Sequence, residues 1–406
     1  MSLTETRPAT SQRLHVTAPG REAAERPAPF AHLSDEDIVQ IGTELDAIRQ
    51  EVLDSRGEAD AAYIRRVIAV QRGLEAAARG VLLFSRFPAA WIAGTAALTV
   101  AKTLENMEIG HNVLHGQWDW MRDKRIHSST WEWDATSPAK QWQKRHNVEH
   151  HTYTNVVGQD NDLGYYILRV DPAQEWKPGH FFQPLVNLVT AMFFEYGIAI
   201  YDMEAQEFLD GKKSREEFMA DLTATLKKLA RQLSKDYLVH PLLSIGSFGP
   251  TIAANFTANV LRNLWTHTVI ICGHIPAGVE TFEATSIEGE TKGEWYLRQM
   301  AGSANISGGR LMGIMTGHLS HQVEHHLFPD LPSNRYEEVS VKVKELMARY
   351  GLRHVSGPLH RQAGSAWAQV FRYSLPNRVE GKTRLQQLSG WVSQRLGGRS
   401  RRALLA

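Results

Sequence analysis

The stretch His146-Asn147-Val148-Glu149-His150-His151 places three histidines in six residues. On a helix His146 and His150 share one face, and His151 lies about a quarter turn round. Such a cluster can hold one metal ion with two imidazoles and reach a second ion with the third. The same grammar returns in His321-Gln322-Val323-Glu324-His325-His326, down to the Val-Glu before the paired histidines. Upstream, His111-Asn112-Val113-Leu114-His115 adds another i,i+4 pair. Eight of the 18 histidines therefore sit in three boxes, more than a wet, histidine-rich helix end explains. The chain is expected to build a metal site.

Composition narrows what kind of site. At 406 residues there is material for one large core or two ordinary domains. A net charge of +1 gives no global field for nucleic acid. The single cysteine, Cys272, forms no internal disulfide, and it excludes a cysteine-rich zinc site or an iron–sulfur cluster. No Gly-x-Gly-x-x-Gly or phosphate loop is present. Mean hydropathy is −0.33, yet Phe87–Ala101, Pro178–Phe194, Tyr237–Leu261 and Asn263–Val279 are free of acidic and basic residues. The third window is long enough to cross a bilayer of about 30 Å. The expectation is an all-α integral membrane bundle of about four spans, with apolar segments near 80–104, 178–200 and 237–275. A cytosolic helical cap carries the dimetal site.

Taken in order, residues 1–33 read as a disordered arm without an apolar leader. Residues 34–365 form the main domain, and 366–406 a basic tail with Arg395, Arg399, Arg401 and Arg402. Ser34 with Asp35, Glu36 and Asp37 predicts a capped, amphipathic helix to about Leu53. Arg86-Phe87-Pro88 breaks the first apolar segment into two pieces, a tight hairpin. Trp118, Trp120, Trp131, Trp133 and Trp142, interleaved with Arg and Lys, suit a membrane–water interface on the cytoplasmic side. From Tyr201 through Asp236 stand seven cations and eight acids, which strains the positive-inside rule if 178–200 crosses outward. Asp160 and Asp162 either orient ligand histidines or form a solvated turn. Asn263, His267 and His274 share one helix face. A histidine inside an apolar span is costly unless used, and His274, at the helix end just before Pro276, is the preferred ninth ligand, with the deeper His267 the alternative. Glu108 and His111 have the Glu-x-x-His spacing of carboxylate-bridged bundles, but the other boxes do not repeat it.

Eight or nine imidazoles exceed what one zinc needs and indicate two metals. Nitrogen donors alone suit Fe, Zn, Cu or Ni. A site shielded from water at a membrane face points to a lipidic substrate, and iron with oxygen can attack its unactivated C–H bonds.

The set His111-x-x-x-His115, His146-x-x-x-His150-His151 and His321-x-x-x-His325-His326 resembles the integral-membrane fatty acid desaturases. The string His321–Pro329 is similar to that family's third box, and Glu105–Trp120 resembles the acyl-CoA Δ9-desaturases of mycobacteria and related actinobacteria. The resemblance covers roughly residues 70–360. It implies a non-haem diiron centre on the cytosolic side of the bacterial cell membrane. Its ligands would be His111, His115, His146, His150, His151, His274 (or His267), His321, His325 and His326, with Asn263, Asp160 and Asp162 around them. In the animal acyl-CoA enzymes the extra histidine follows an asparagine by four, as His267 follows Asn263. Box spacing departs from those enzymes by one residue, so their metal assignments do not transfer atom for atom. The implied reaction is O2-dependent cis desaturation, at Δ9 by resemblance, of a long-chain fatty acyl-CoA or acyl lipid. No cytochrome b5 motif is present, so electrons from NADPH would arrive through a separate reductase. Membrane lipid, but no nucleic acid, is an expected partner. A diiron hydroxylase and a non-catalytic metal-binding membrane protein are the competing readings.

Overall fold

The computed structural model describes residues 26–378, apart from positions 161 and 166, together with position 386. The expected arm and tail otherwise lie outside the described residues. Almost all regular structure is helical. Among the described residues the only ladder is β1 (Asn305–Ser307) paired in parallel with β2 (Ser356–Pro358).

The first helix, α1 (Asp35–Ser55), begins where the sequence places it. Ser34 accepts from the Asp37 amide and Asp37 reaches back to Ser34, which satisfies two otherwise orphaned donors. Its stripe Ile38, Ile41 and Leu45 is buried with Tyr296, Phe328, Tyr336 and Val343. These come from α8 (Lys292–Ala301), the segment after the third box and α10 (Tyr336–Arg349), and together they form the cap.

The apolar part is built from hairpins. α2 (Glu58–Leu82) turns at residues 83–87 into α3 (Pro88–Thr103), because Pro88 has no donor to offer a continuing helix. The apolar window Tyr237–Leu261 is not one span. Helix α6 (Arg215–Ser234) runs on through Lys235–Val239 and His240–Leu243 and then stops. Gly246 turns the chain at φ +79°, and α7 (Phe248–His274) begins. The turns of the two hairpins meet, where the Ser85 and Thr251 hydroxyls lie 2.8 Å apart and the Trp91 indole donates to Pro250 O. Phe84, Phe87, Ile92, Leu242, Leu243 and Ile245 stand exposed around them.

Charges inside this bundle are paired, as buried charges must be. Lys102 meets Asp236 at 2.8 Å and Asp134 at 3.3 Å, and Arg262 meets Glu195 at 2.6 Å. No single helix among the described residues is long and apolar enough to cross a membrane. One bent pair, Pro178–Met192 with Phe194–Leu209, passes that test together, with a 96° bend at Phe193. Within it lie α4 (Gln183–Met192) and α5 (Phe194–Asp202), which pack on α7. Helix α11 (Leu359–Tyr373) packs on α7 and α4, so the expected boundary at 365/366 falls inside a helix.

Candidate metal centre

The first two boxes begin on π-helical turns, Leu104–His111 and Gln143–His150, a widened winding common at functional sites. Both run straight into short α-helical turns, so each box keeps its ligand spacing on a continuous helix. The third box does not. A 3-10 turn ends at His321, whose backbone is off-helix at φ −108°, ψ 55°, and α9 (Gln322–Leu327) starts one residue later.

The structure gathers eight of the nine expected histidines. Each of His111, His115, His146 and His325 offers a ring nitrogen within 4.8 Å of the others. His150, His274 and His326 form a second such group. His151 lies between them, 4.8 Å from the His115 ring, 4.9 Å from His325 and 4.5 Å from His326. His321 stands apart, its Nδ1 4.0 Å from Glu324, and it belongs to neither group. His267 also stands apart. It shares a 3.0 Å hydrogen bond with Asn187 and packs edge-on to Phe194.

The outer ring nitrogens are held by the protein. His146 Nδ1 lies 3.1 Å from Asp162, and His150 Nδ1 lies 3.0 Å from both Asp160 oxygens. His326 Nδ1 meets the Gln299 amide oxygen at 3.1 Å, and Gln299 also donates to His151 O. His325 Nδ1 faces the Tyr336 hydroxyl at 3.4 Å, and His274 Nδ1 faces Gly302 O at 3.3 Å. Such partners fix the tautomer and turn the other nitrogen inward. The inward Nε2 atoms of His115, His146, His151 and His325 are buried without a partner. Buried lone pairs facing one another are unfavourable unless a cation lies between them. The residues fit a pair of metal ions.

Burial favours the neutral form for most of these rings. Burial first, and the neighbouring His146 second, push His111 down to about 3. Burial and adjacent imidazoles likewise hold His115, His151, His325 and His326 far below the usual range. Neutral imidazole is the ligand form. His150 differs: burial opposes its charge, but Asp160 and Asp162 lift it to about 9.

Several contributors escape a motif reading. The Gln322 amide nitrogen lies 2.9 Å from His274 Nε2, and its oxygen is buried without a partner. Gly273 makes room, since a Cβ there would meet Gln322 Cγ at 2.9 Å. Trp142 stacks on His146 with ring centres 4.4 Å apart. Glu108, three residues before His111, points elsewhere: it accepts from Tyr63 and Ser333 and lies 2.9 Å from His318 Nδ1. Asn263 donates to Met192 O and lines the cavity beside the histidines. An apolar cavity runs past His111, His146, His150 and His274, walled by Met107, Trp133, Phe194 and Ile270 among others.

Residues 86–358 match the family model "Fatty acid desaturase". The chain belongs to the fatty acid desaturase family. It is thereby an oxidoreductase of lipid metabolism. One relative of this desaturase is the NADPH-dependent stearoyl-CoA 9-desaturase of Mycobacterium tuberculosis, 49% identical over 353 residues, covering 86% of this chain and 83% of the relative. Another is the sn-1 linoleoyl-lipid 6-desaturase of Synechocystis, 23% identical over 280 residues, 66% of this chain and 76% of the relative.

Proposed function

We propose that this chain introduces a cis double bond at Δ9 of a long-chain saturated fatty acyl-CoA, using a diiron centre held by the gathered histidines. The observation that carries the reading is the pair of buried nitrogen groups on the wall of an apolar cavity. His111, His115, His146 and His325 would hold one iron and His150, His274 and His326 the other, with His151 between them and Gln322 offering an amide oxygen. Two irons, when bound, supply reductive activation of O2, which takes a hydrogen from each of two neighbouring methylenes and leaves as two waters, consuming two electrons and two protons.

The chain's own residues do the rest. Trp133, Phe194 and Ile270 hold the acyl chain and exclude water. Because one methylene resembles the next, position along the chain is set by how far the cavity admits it. Asp160, Asp162 and Gln299 keep the ligand rings turned inward. Likeness to the stearoyl-CoA enzyme favours acyl-CoA over acyl lipid and NADPH as the electron source. The exposed apolar hairpin turns support insertion in the membrane, with the cap in the cytoplasm.

The test is expression with a compatible reductase in a host lacking Δ9 activity, with double bonds located by mass spectrometry. New Δ9 monoenes support the proposal. Hydroxylated chains in their place would move the reading to a hydroxylase, and bound iron without any product to a non-catalytic role.

A further inference from the structure

Behind Trp133, on the side away from the histidines, lies a recess of about 740 Å³. It is bounded by α2, the Trp131–Pro138 segment and α6. Six cations line it, Arg72, Arg125, Lys227, Lys228, Arg231 and Lys235, against Glu75, Glu105, Glu132 and Asp134. Lys228 is paired with Glu132, Lys235 with Asp134, and Arg125 with Asp123. Arg72, Lys227 and Arg231 are exposed and have no acidic partner among the described residues. The recess is therefore positive in excess of its own acids.

Its inner wall is closed. Trp133 lines both the recess and the cavity at the histidines, and its indole is pinned to Ser137 O at 2.7 Å. An acyl chain cannot pass there without displacing it. An electron needs no open path, only packed atoms. Trp133 and Trp142 supply these, with ring centres 5.1 Å apart, and Trp142 stacks at 4.4 Å and 22° on His146.

We propose that this recess is the docking surface for an acidic one-electron donor protein, with Trp133 and Trp142 bridging it to the histidine centre. The inference rests on the desaturase reading. Each encounter oxidises the donor by one electron and reduces the metal site by one, so two encounters serve one turnover. The unpaired cations steer the donor, and steering weakens as salt screens it.

The test uses the R72E/R231E double variant, in membranes of a host whose own donor supports NADPH-driven turnover of the wild type. Reduction of the bound iron is followed anaerobically by its ferric absorbance, first with NADPH and the host donor, then with dithionite. The expected result is a fall of about tenfold or more in the donor-driven rate, with its salt dependence lost. Iron content and the dithionite rate should not change. A fall in both rates would overturn the proposal, because the substitutions would then act on the iron site itself and not on donor docking. No fall in either would also overturn it. Wild type that is reduced by dithionite yet forms no alkene from stearoyl-CoA and O2 would instead sink the desaturase reading.

Discussion

Gln322 and His321 are neighbours, yet only Gln322 reaches the histidine centre. Replacing Gln322 with Ala is expected to lower bound iron per chain, while His321→Ala leaves it near the wild-type value; metal analysis of both purified variants decides. His274 and His267 separate in the same way. His274→Ala should lose iron. His267→Ala should keep it and cost about 1–3 kcal/mol of stability, because Asn187 is left buried without its partner. Equal iron loss in the two variants would contradict this placement. Asp160 is the residue to change around the ligands, since both its oxygens face His150. Asp160→Asn should weaken metal affinity by about 10- to 100-fold, read by competition with a chelator.

The three boxes are held together by elements that carry no motif. Glu108 sits in the first box's π-helix but binds α2 through Tyr63 and both flanks of the third box through His318 and Ser333. Gly317, at φ +64°, lets that flank pass close over Met107 O, where any Cβ would collide. Glu108→Ala should lower the melting temperature, with about 1–3 kcal/mol lost from each buried group left unpaired. Glu108→Gln should retain most of the stability, since its amide can still accept from Tyr63 or Ser333. If the two variants melt alike, the clamp is not carried by hydrogen bonding. The Glu-x-x-His spacing of Glu108 and His111 is real in the sequence but does not make Glu108 a ligand. Its carboxylate leaves the helix on the side facing His318.

Across the whole molecule, the centre lies at one end of α7 and the hairpin turns at the other. α7 has 27 residues and so separates the two by about 40 Å at 1.5 Å per residue. On the proposed membrane placement, a cysteine introduced at Arg86 in the hairpin turn should react with an impermeant maleimide from the face opposite a cysteine at Glu345 in the cap. Labelling of both from one face would make the hairpins re-entrant. Removal of iron by chelation should lower the melting temperature of the cap, because the uncompensated nitrogens must then be hydrated or protonated.

Much of this was legible beforehand. The box histidines, the capped start at Ser34, the break at Pro88 and the family follow from residue type and short-range spacing, which depend only on local geometry. The span at 237–261 was misread because hydropathy does not register the turn at Gly246. His321 stands apart from both histidine groups because the third box does not continue one helix as the second does, α9 starting one residue after His321. His274 was already preferred over His267 from its place at the helix end, but the roles of Gln322 and Gln299 came only from the tertiary structure. A ligand's partner is set by which helices pack together, and contacts between residues tens to hundreds of positions apart leave no periodic trace in a single chain.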